Sequence, residues 1–520
     1  MRILGVTQGS NLRVFLRLAE MLKEPLGLSD ISAYVADSQE YYALQAAEPL
    51  LRDPTFHLLK EWEITREGVA RQPDWKALRE WEAILGDPVL WNALMADRRI
   101  FLGKLCKLRQ DYKPRFTHTQ MYAIAQTAAE RIAEFIYDRK PDVILGFGTS
   151  TFGDYLLYRF ARAKGIAYLQ LKATKIGNYV SLNDDALKLS SHIATLIENP
   201  NQIPSAIIGR AREHLAQIRE RGVRYEGVLK STARLRPIRG FFGSLRGLVR
   251  DTRNQLHPVV RSDNHVESAM LNALYTNIVQ PAKLGILSLL LQHKLVGLED
   301  VEHHRPFAFF PLHFEPEVAL QVFGRPFQNQ IEVVRNLALS LPAGMLVLVK
   351  EHPRALGFRP YGYYRKLLEI PNVRLVDHRL PTHRVIRNAD LVAVISGSTG
   401  FEAAVLGKPV ITFGLPTYRN LSQKMVMQIS SLHDLGSDIR GFLAGFHTDV
   451  ATLEHFVAAH IAGSVPVDLY SVLLAKPDRL SEGREGVSQE ERRQQDYLAL
   501  ADYCTGRITD AVYRSKSDEE

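Results

Sequence analysis

Apolar positions change period along this chain in a way that marks out its elements. Ile3 to Thr7 reads as a strand, followed by a Gln8-Gly9-Ser10-Asn11 turn. Leu12, Phe15, Leu16, Leu18, Ala19 and Leu22 then recur at helical spacing. From about Gln39 to Arg139 the spacing predicts a long, mostly helical stretch. In it Trp62, Trp75, Trp81 and Trp91 are expected to anchor helix to helix. Pro141 to Gly148 is a buried strand ending in glycines, Thr151 to Lys164 a helix, and Ala167 to Leu171 a strand. Strand, helix and strand in that order imply parallel pairing with a right-handed crossover. Asn199 to Leu298 is helical and basic, broken at Pro237, Pro258 and Pro281, as an insertion or interdomain region would be.

The second half alternates more regularly. Strands are expected at Phe307–Pro311, Met345–Lys350, Val373–Val376, Leu391–Ile395 and Val410–Phe413. Between them lie helices at Asn329–Leu339, Tyr361–Leu368, Thr382–Asn388 and Phe401–Leu406. Short-looped βα alternation predicts a doubly wound nucleotide-binding domain. A chain of 520 residues exceeds what one core organises, so two α/β domains are expected. The division read from the pattern is residues 1–200, a basic helical region 201–300, a second domain 301–480, and a C-terminal helix and tail 481–520.

Composition excludes global disorder, with 46% apolar and 23% charged residues. Cys106 and Cys504 have no metal-ligand spacing and read as reduced thiols. The N-terminus runs straight into a strand rather than a signal peptide. No uninterrupted apolar run approaches the roughly 20 residues of a membrane span; the longest is Leu284 to Leu291. A cytoplasmic location is therefore expected, with attachment to a membrane surface left open.

The net charge of +8 is unevenly spread: Arg210 to Arg261 holds about a dozen basic residues against about four acids. Within 234–261, Phe241, Phe242, Leu245, Leu248 and Val249 interleave with Arg239, Arg246, Arg250 and Arg253. That mixture suits an anionic membrane surface, or equally a solvated arginine-rich helix pair. No nucleic-acid motif accompanies the charge, so nucleic acid is not an expected partner.

Candidate chemistry concentrates at strand ends. Ser396-Gly397-Ser398-Thr399-Gly400-Phe401-Glu402 follows a buried strand and opens a helix. Small residues admit a ligand close to the backbone, N–H groups and hydroxyls suit a phosphate, and Glu402 suits ribose hydroxyls. The competing reading is an ordinary N-cap. Lys350, Glu351, His352, Pro353 and Arg354 end another strand; His352 is suited to donate to a leaving phosphate, with Lys350 and Arg354 adding positive charge. His313, Glu315 and Glu317 follow the first strand of the second domain and are candidates for acid–base work. In the first domain Gly9, Ser10, Gly146, Gly148, Thr149 and Ser150 sit at strand ends suited to an acceptor. Asp154, Asp184 and Asp185 are candidate bases that spacing does not separate. Metal-ligand spacing is absent, and neither a metal nor a cofactor is expected.

Phe-Pro-Leu-His-Phe-Glu-Pro-Glu, Lys-Glu-His-Pro, Ser-Gly-Ser-Thr-Gly-Phe-Glu-Ala and Gly-Lys-Pro-Val, in that order over Phe307 to Gly414, resemble bacterial capsule and surface-polysaccharide biosynthesis proteins of the GT-B glycosyltransferase type. The resemblance implies two Rossmann-like domains facing a cleft. It also implies transfer of a sugar from a nucleotide donor to a glycan or glycolipid without a bound metal. The His-Pro and Ser/Thr elements are similar to those of transferases using CMP-activated acidic sugars. By that similarity His352 would contact the donor phosphate, and Ser396, Ser398 and Thr399 would hold phosphate or nucleotide. The Glu-Ala…Gly-x-Pro part is similar to a wider group in which the glutamate binds ribose, which keeps UDP and GDP open. A nucleotide-sugar epimerase or hydrolase of the same architecture, a polyol-phosphate transferase, and a non-catalytic assembly scaffold are the alternatives.

Overall fold

The opening strand forms as Arg2–Thr7 (β1), and its β-branched and aliphatic neighbours follow as Asp30–Val35 (β2), His57–Lys60 (β3), Val143–Gly146 (β4), Ala167–Ala173 (β5) and Tyr179–Asn183 (β6). The computed structural model describes residues 1–87, 89–103, 114–223, 249, 252, 256–263, 268–303, 306–476 and 486–517. Among them these strands pair in the order β6-β5-β4-β1-β2-β3, all parallel except β5 with β6. β3 lies inside the stretch expected to be helical. Its four residues are too few to show a period against the helices around them, and pairing with β2, Ser32 opposite His57, fixes them as an edge strand.

Helices cover both faces of this sheet. Asn11–Leu22 packs Phe15, Leu16 and Leu18 on one side with Ile3, Val143 and Leu169. On the other side lie Trp75–Leu85, His118–Arg139 and Phe152–Ala163. The last two start in capping boxes, Thr117 with Gln120 and Thr151 with Asp154, which satisfy the first free N–H groups. The tryptophans part company: Trp62 is buried in the first core layer, whereas Trp75 remains half-exposed against His118 and Tyr122.

The second sheet contains Leu295–Val296 (β7), Phe307–Pro311 (β8), Leu346–Lys350 (β9), Val373–Val376 (β10), Leu391–Val394 (β11), Val410–Thr412 (β12) and Val426–Gln428 (β13), all parallel in the order β13-β12-β11-β8-β9-β10-β7. Fully apolar β11, for example, is buried at every position, as a strand covered on both faces must be. Helices Gln330–Ser340, Tyr361–Leu368 and Leu435–Gly445 cover one face, and Thr382–Asn388, Thr399–Val405 and Val450–Ala462 the other. Both units are Rossmann-like α/β domains, as the pattern predicted.

Two features depart from the expected layout. Helix Ser205–Arg221, read as part of an interdomain region, packs on Val450–Ala462 and joins the second core, with Arg212 and Glu454 paired at 2.9 Å. After Ala462 the chain crosses back: Val465–Pro466 (β14) adds antiparallel to β6, and helix Gln489–Ser517 lies along Asn11–Leu22 and β5. That helix buries Leu500, Cys504 and Ile508 in the first core, so the segment expected as a C-terminal helix and tail forms a layer of the N-terminal domain. The Cys504 thiol is pushed up to about 12 by burial, consistent with a structural role. Cys106 lies outside the described residues, as does the basic stretch 234–261 apart from 249, 252 and 256–261.

One expectation needs correction. Ala269–Lys294 is a continuous helical run of 26 residues, long and apolar enough by length and composition to cross a membrane. The sequence concealed it because Asn272, Thr276, Asn277, Gln280 and Lys283 interrupt the apolar run without interrupting the helix.

Candidate functional site

In each sheet the strand order reverses once: β1 lies between β2 and β4, and β8 between β9 and β11. Adjacent loops then leave in opposite directions, opening a crevice at the carboxyl ends of the strands. In the second domain the loops there are those after β8, β9 and β11, and they carry the three motifs picked from the sequence. His313, after β8, is buried between the other two. Its Nε2 accepts a 3.4 Å hydrogen bond from the Ser396 N–H, and a Cβ on Gly397 would sit 3.1 Å from the ring. A side chain at 397 would press on the imidazole, which is why glycine stands there.

Burial, reinforced by the positive charge of neighbouring groups, lowers His313 to about 3 and His352 to about 4, so both rings are neutral at pH 7. At His352 the backbone N–H of Arg354 donates to Nδ1 at 3.1 Å. Nδ1 is thereby fixed as the acceptor, and the neutral ring carries its proton on Nε2. His352 is thus a donor at the end of β9 whose tautomer is set by the His-Pro-Arg turn. Arg354 stacks its guanidinium 5.4 Å from the Phe314 ring.

Beneath both histidine loops lies Arg359, 0% exposed. It donates to the carbonyl oxygen of His313 (2.6 Å), pairs with Glu315 at 3.3 Å and binds Glu351 directly. Glu351 also accepts from the His352 N–H (2.6 Å) and the Tyr364 hydroxyl (2.8 Å). Gln330 closes the network, accepting from His313 N–H and donating to its carbonyl oxygen and to Glu315. Glu315 is therefore engaged in holding the loops, a position unlike that of the acid–base group expected from sequence. Glu317 precedes the helical turn Val318–Gln321 without capping it through its side chain.

The third loop divides its labour. Ser396 Oγ donates to the Ala319 carbonyl oxygen at 2.6 Å and so braces the loop after β8. Ser398 sits at the N-cap of Thr399–Val405 without a side-chain cap bond, and lines the interface with the first domain. Gly400 admits Tyr418: an added Cβ would be 2.2 Å from its hydroxyl, which itself donates to the Gly397 carbonyl oxygen. Lys350 points away from Glu351, as alternate residues of a strand do. Its Nζ donates to Thr382 Oγ1 at 2.9 Å, and burial lowers it to about 8. Burial pushes Glu402 up to about 7, against a hydrogen bond from the Val223 N–H and the charge of Lys350.

Sequence reasoning missed the partners that the first domain brings to this loop. Lys172, at the end of β5, and Lys175 join Ser396, Ser398, Leu415 and Thr417 around a small cavity of about 70 Å³. Lys172 lies 4.8 Å from the Phe323 ring; burial and then Lys175 lower it to about 8. The end of helix Ser205–Arg221 was missed as well: Gly222, at φ +77°, passes so close that a Cβ would lie 2.9 Å from Glu402 Oε1. A lysine at a strand end and a glycine after a helix carry no signal until their domain partners are known.

In the first domain Gly9 and Ser10 after β1 and Gly148, Thr149 and Ser150 after β4 lie together, with Ser150 Oγ donating to Gln8. Residues 172–176, rather than these, line the interdomain cavity. Asp154 accepts from the N–H groups of Ser150 and Thr151, Asp184 from Ser191, and Asp185 from Leu187 and Lys188, so all three candidate bases are held in caps and turns.

These features define a two-domain α/β protein with a neutral-histidine and serine crevice in its second domain. Residues 295–422 match the family model described as capsule polysaccharide biosynthesis protein. The chain is 31% identical over 102 residues to the capsule polysaccharide modification protein LipA of Neisseria meningitidis, covering 20% of this chain and 14% of LipA. It is 30% identical over 146 residues to protein FixF of Sinorhizobium fredii, covering 26% of this chain and 33% of FixF. The matched stretches thus span a third or less of either relative's length. Among solved structures it is similar to Thermosulfurimonas dismutans KpsC, a beta Kdo 2,7 transferase, at 12% identity and a TM-score of 0.36, covering 72% of this chain and 89% of that one.

Proposed function

We propose that the protein is a glycosyltransferase of capsule polysaccharide synthesis that takes its sugar from a nucleotide donor held in the second domain. The observation carrying this reading is that His313, beside the Ser396 N–H, and His352, with its proton on Nε2, stand on loops at the carboxyl ends of strands at the topological switch point. In the reaction the bond between the anomeric carbon and the phosphate oxygen breaks. A bond to an acceptor hydroxyl oxygen forms, and that hydroxyl gives up its proton to solvent. His352 and the backbone N–H groups around Ser398 meet the charge gathering on the departing phosphate, and Lys172 adds a cation from the facing domain. Being prearranged by Arg354, the His352 donor need not reorganise as charge develops. CMP-activated sugars are the favoured donors by the His-Pro and Ser/Thr motifs, and a surface glycan or glycolipid is the acceptor.

A thermal-shift screen with CMP, CDP, UDP and GDP tests the site. A nucleotide at a hundredfold excess over its Kd raises native stability by about 2.7 kcal/mol. Stabilisation by none of the four would remove the nucleotide assignment. Donor hydrolysis without transfer to any glycan would move the reading to a hydrolase or epimerase.

A further inference from the structure

Helix Ala269–Leu291, continuing to Lys294, has two unlike faces. Its inner face is fastened to the loop that follows His352. Tyr275 stacks on Phe358 with ring centres 5.5 Å apart, Gln280 Nε2 donates to the Leu356 carbonyl oxygen at 2.8 Å, and Lys283 Nζ donates to that of Phe358 at 2.7 Å. At Gly357, φ +79°, a Cβ would lie 2.7 Å from the Gln280 carbonyl oxygen, so helix and loop meet backbone to backbone. Leu287 and Leu291 complete the buried side.

The outer face is apolar and bare. Met270, Leu274, Ile278, Ile286 and Leu289 are 70%, 48%, 59%, 58% and 69% exposed, and Leu271 and Leu290 flank them. The π turn at Tyr275–Val279 delays the helix's rotation, so Leu274 and Ile278 stay beside Met270 rather than winding round to the fold. A contiguous apolar surface of this kind marks an interaction face.

Charge decides the occupant. The sequence just ahead of the helix, Arg224 to Arg261, holds nine arginines and lysines against two acids, Glu226 and Asp251. A second copy would add a second such stretch to the first, like charge to like. An anionic bilayer accepts both the apolar face and the cations. We infer that helix Ala269–Leu291 lies along the surface of an anionic membrane, its outer face in the acyl boundary. It does not cross, because Gln280 and Lys283 tie its other face to the protein. Seating there holds the loop after His352 at the bilayer; the docking stands independently of the transferase reading.

The test is flotation of the full chain with vesicles of phosphatidylcholine alone, or of equal parts phosphatidylcholine and phosphatidylglycerol. Wild type floats with the anionic vesicles and is released by salt. The exposed pairs Ile286→Asp/Leu289→Asp and Met270→Asp/Ile278→Asp each lower partitioning at least about tenfold, with the unfolding midpoint and nucleotide-induced shift unchanged. Absence of flotation by the wild type, or undiminished flotation of both folded variants, overturns the inference. So does conversion of a dimer to a monomer in sedimentation without a change in flotation, which would assign the face to a second copy.

Discussion

Replacing Arg359 by methionine tests how the two histidine loops are held. The guanidinium is 0% exposed and binds Glu315, Glu351 and the His313 carbonyl oxygen. Methionine approximates its length but removes the cation that the two carboxylates share. Removing one partner of a buried ion pair costs about 3–5 kcal/mol. For a domain of this size, at about 2–4 °C per kcal/mol, the second domain should melt roughly 10 °C lower. Denaturant unfolding followed by intrinsic fluorescence gives the free energy directly. Glu351→Gln added to Arg359→Met should recover part of the loss, because it removes one stranded charge while keeping an acceptor for the His352 N–H. A loss below about 1 kcal/mol in the single variant would show that the network is not what positions these loops.

His352→Ala is expected to lower kcat by about 10²–10³, the range for removing one prearranged donor, and Ser398→Ala to weaken nucleotide binding. Circular dichroism should show both folded, and wild-type kinetics in both would sink the site. Histidines held at about 3 (His313), about 4 (His352) and about 4 (His460) stay neutral in the native state while their unfolded counterparts protonate near 6.5. The unfolded state therefore binds more protons below that value. Stability should fall on acidification from pH 6.5 towards 4, by up to about 1.4 kcal/mol per pH unit for each histidine; unfolding free energies that stay flat from pH 7 to 5 would contradict this. Lys172 and Lys350, both lowered to about 8, lose their charge as pH rises through that value. Nucleotide affinity measured by calorimetry should fall between pH 7 and 9, and Lys172→Met should flatten part of that fall.

The five inner strands of the second domain were legible because each is a short, mostly apolar run and the loops between them are local, whereas the edge strands, two-residue β7 and three-residue β13, were not read. The first domain was less so. β3 is four residues long, and β14 is Val465–Pro466, a pair that becomes a strand only by lying against β6. At the site, motif residues on one loop were found, but their division of tasks was not. Whether Ser396 or Ser398 is spare depends on the Ala319 carbonyl oxygen 77 positions away, and the fate of Glu315 on Arg359. Long-range partners of this kind have no periodicity to read.

The return of the chain to β6 has a consequence for biosynthesis. The N-terminal sheet lacks an edge strand and the helix over Leu12, Phe15 and Leu16 until the residues beyond 462 have been made. The first domain to be started is therefore the last to be finished. While the second folds, an open strand edge and an uncovered apolar layer wait on the ribosome, the conditions under which nascent chains recruit chaperones. The second domain is enclosed between two segments of the first, so two chain crossings join them. A rotation of one domain on the other must bend both crossings together, and this double tether restricts how far the cleft opens.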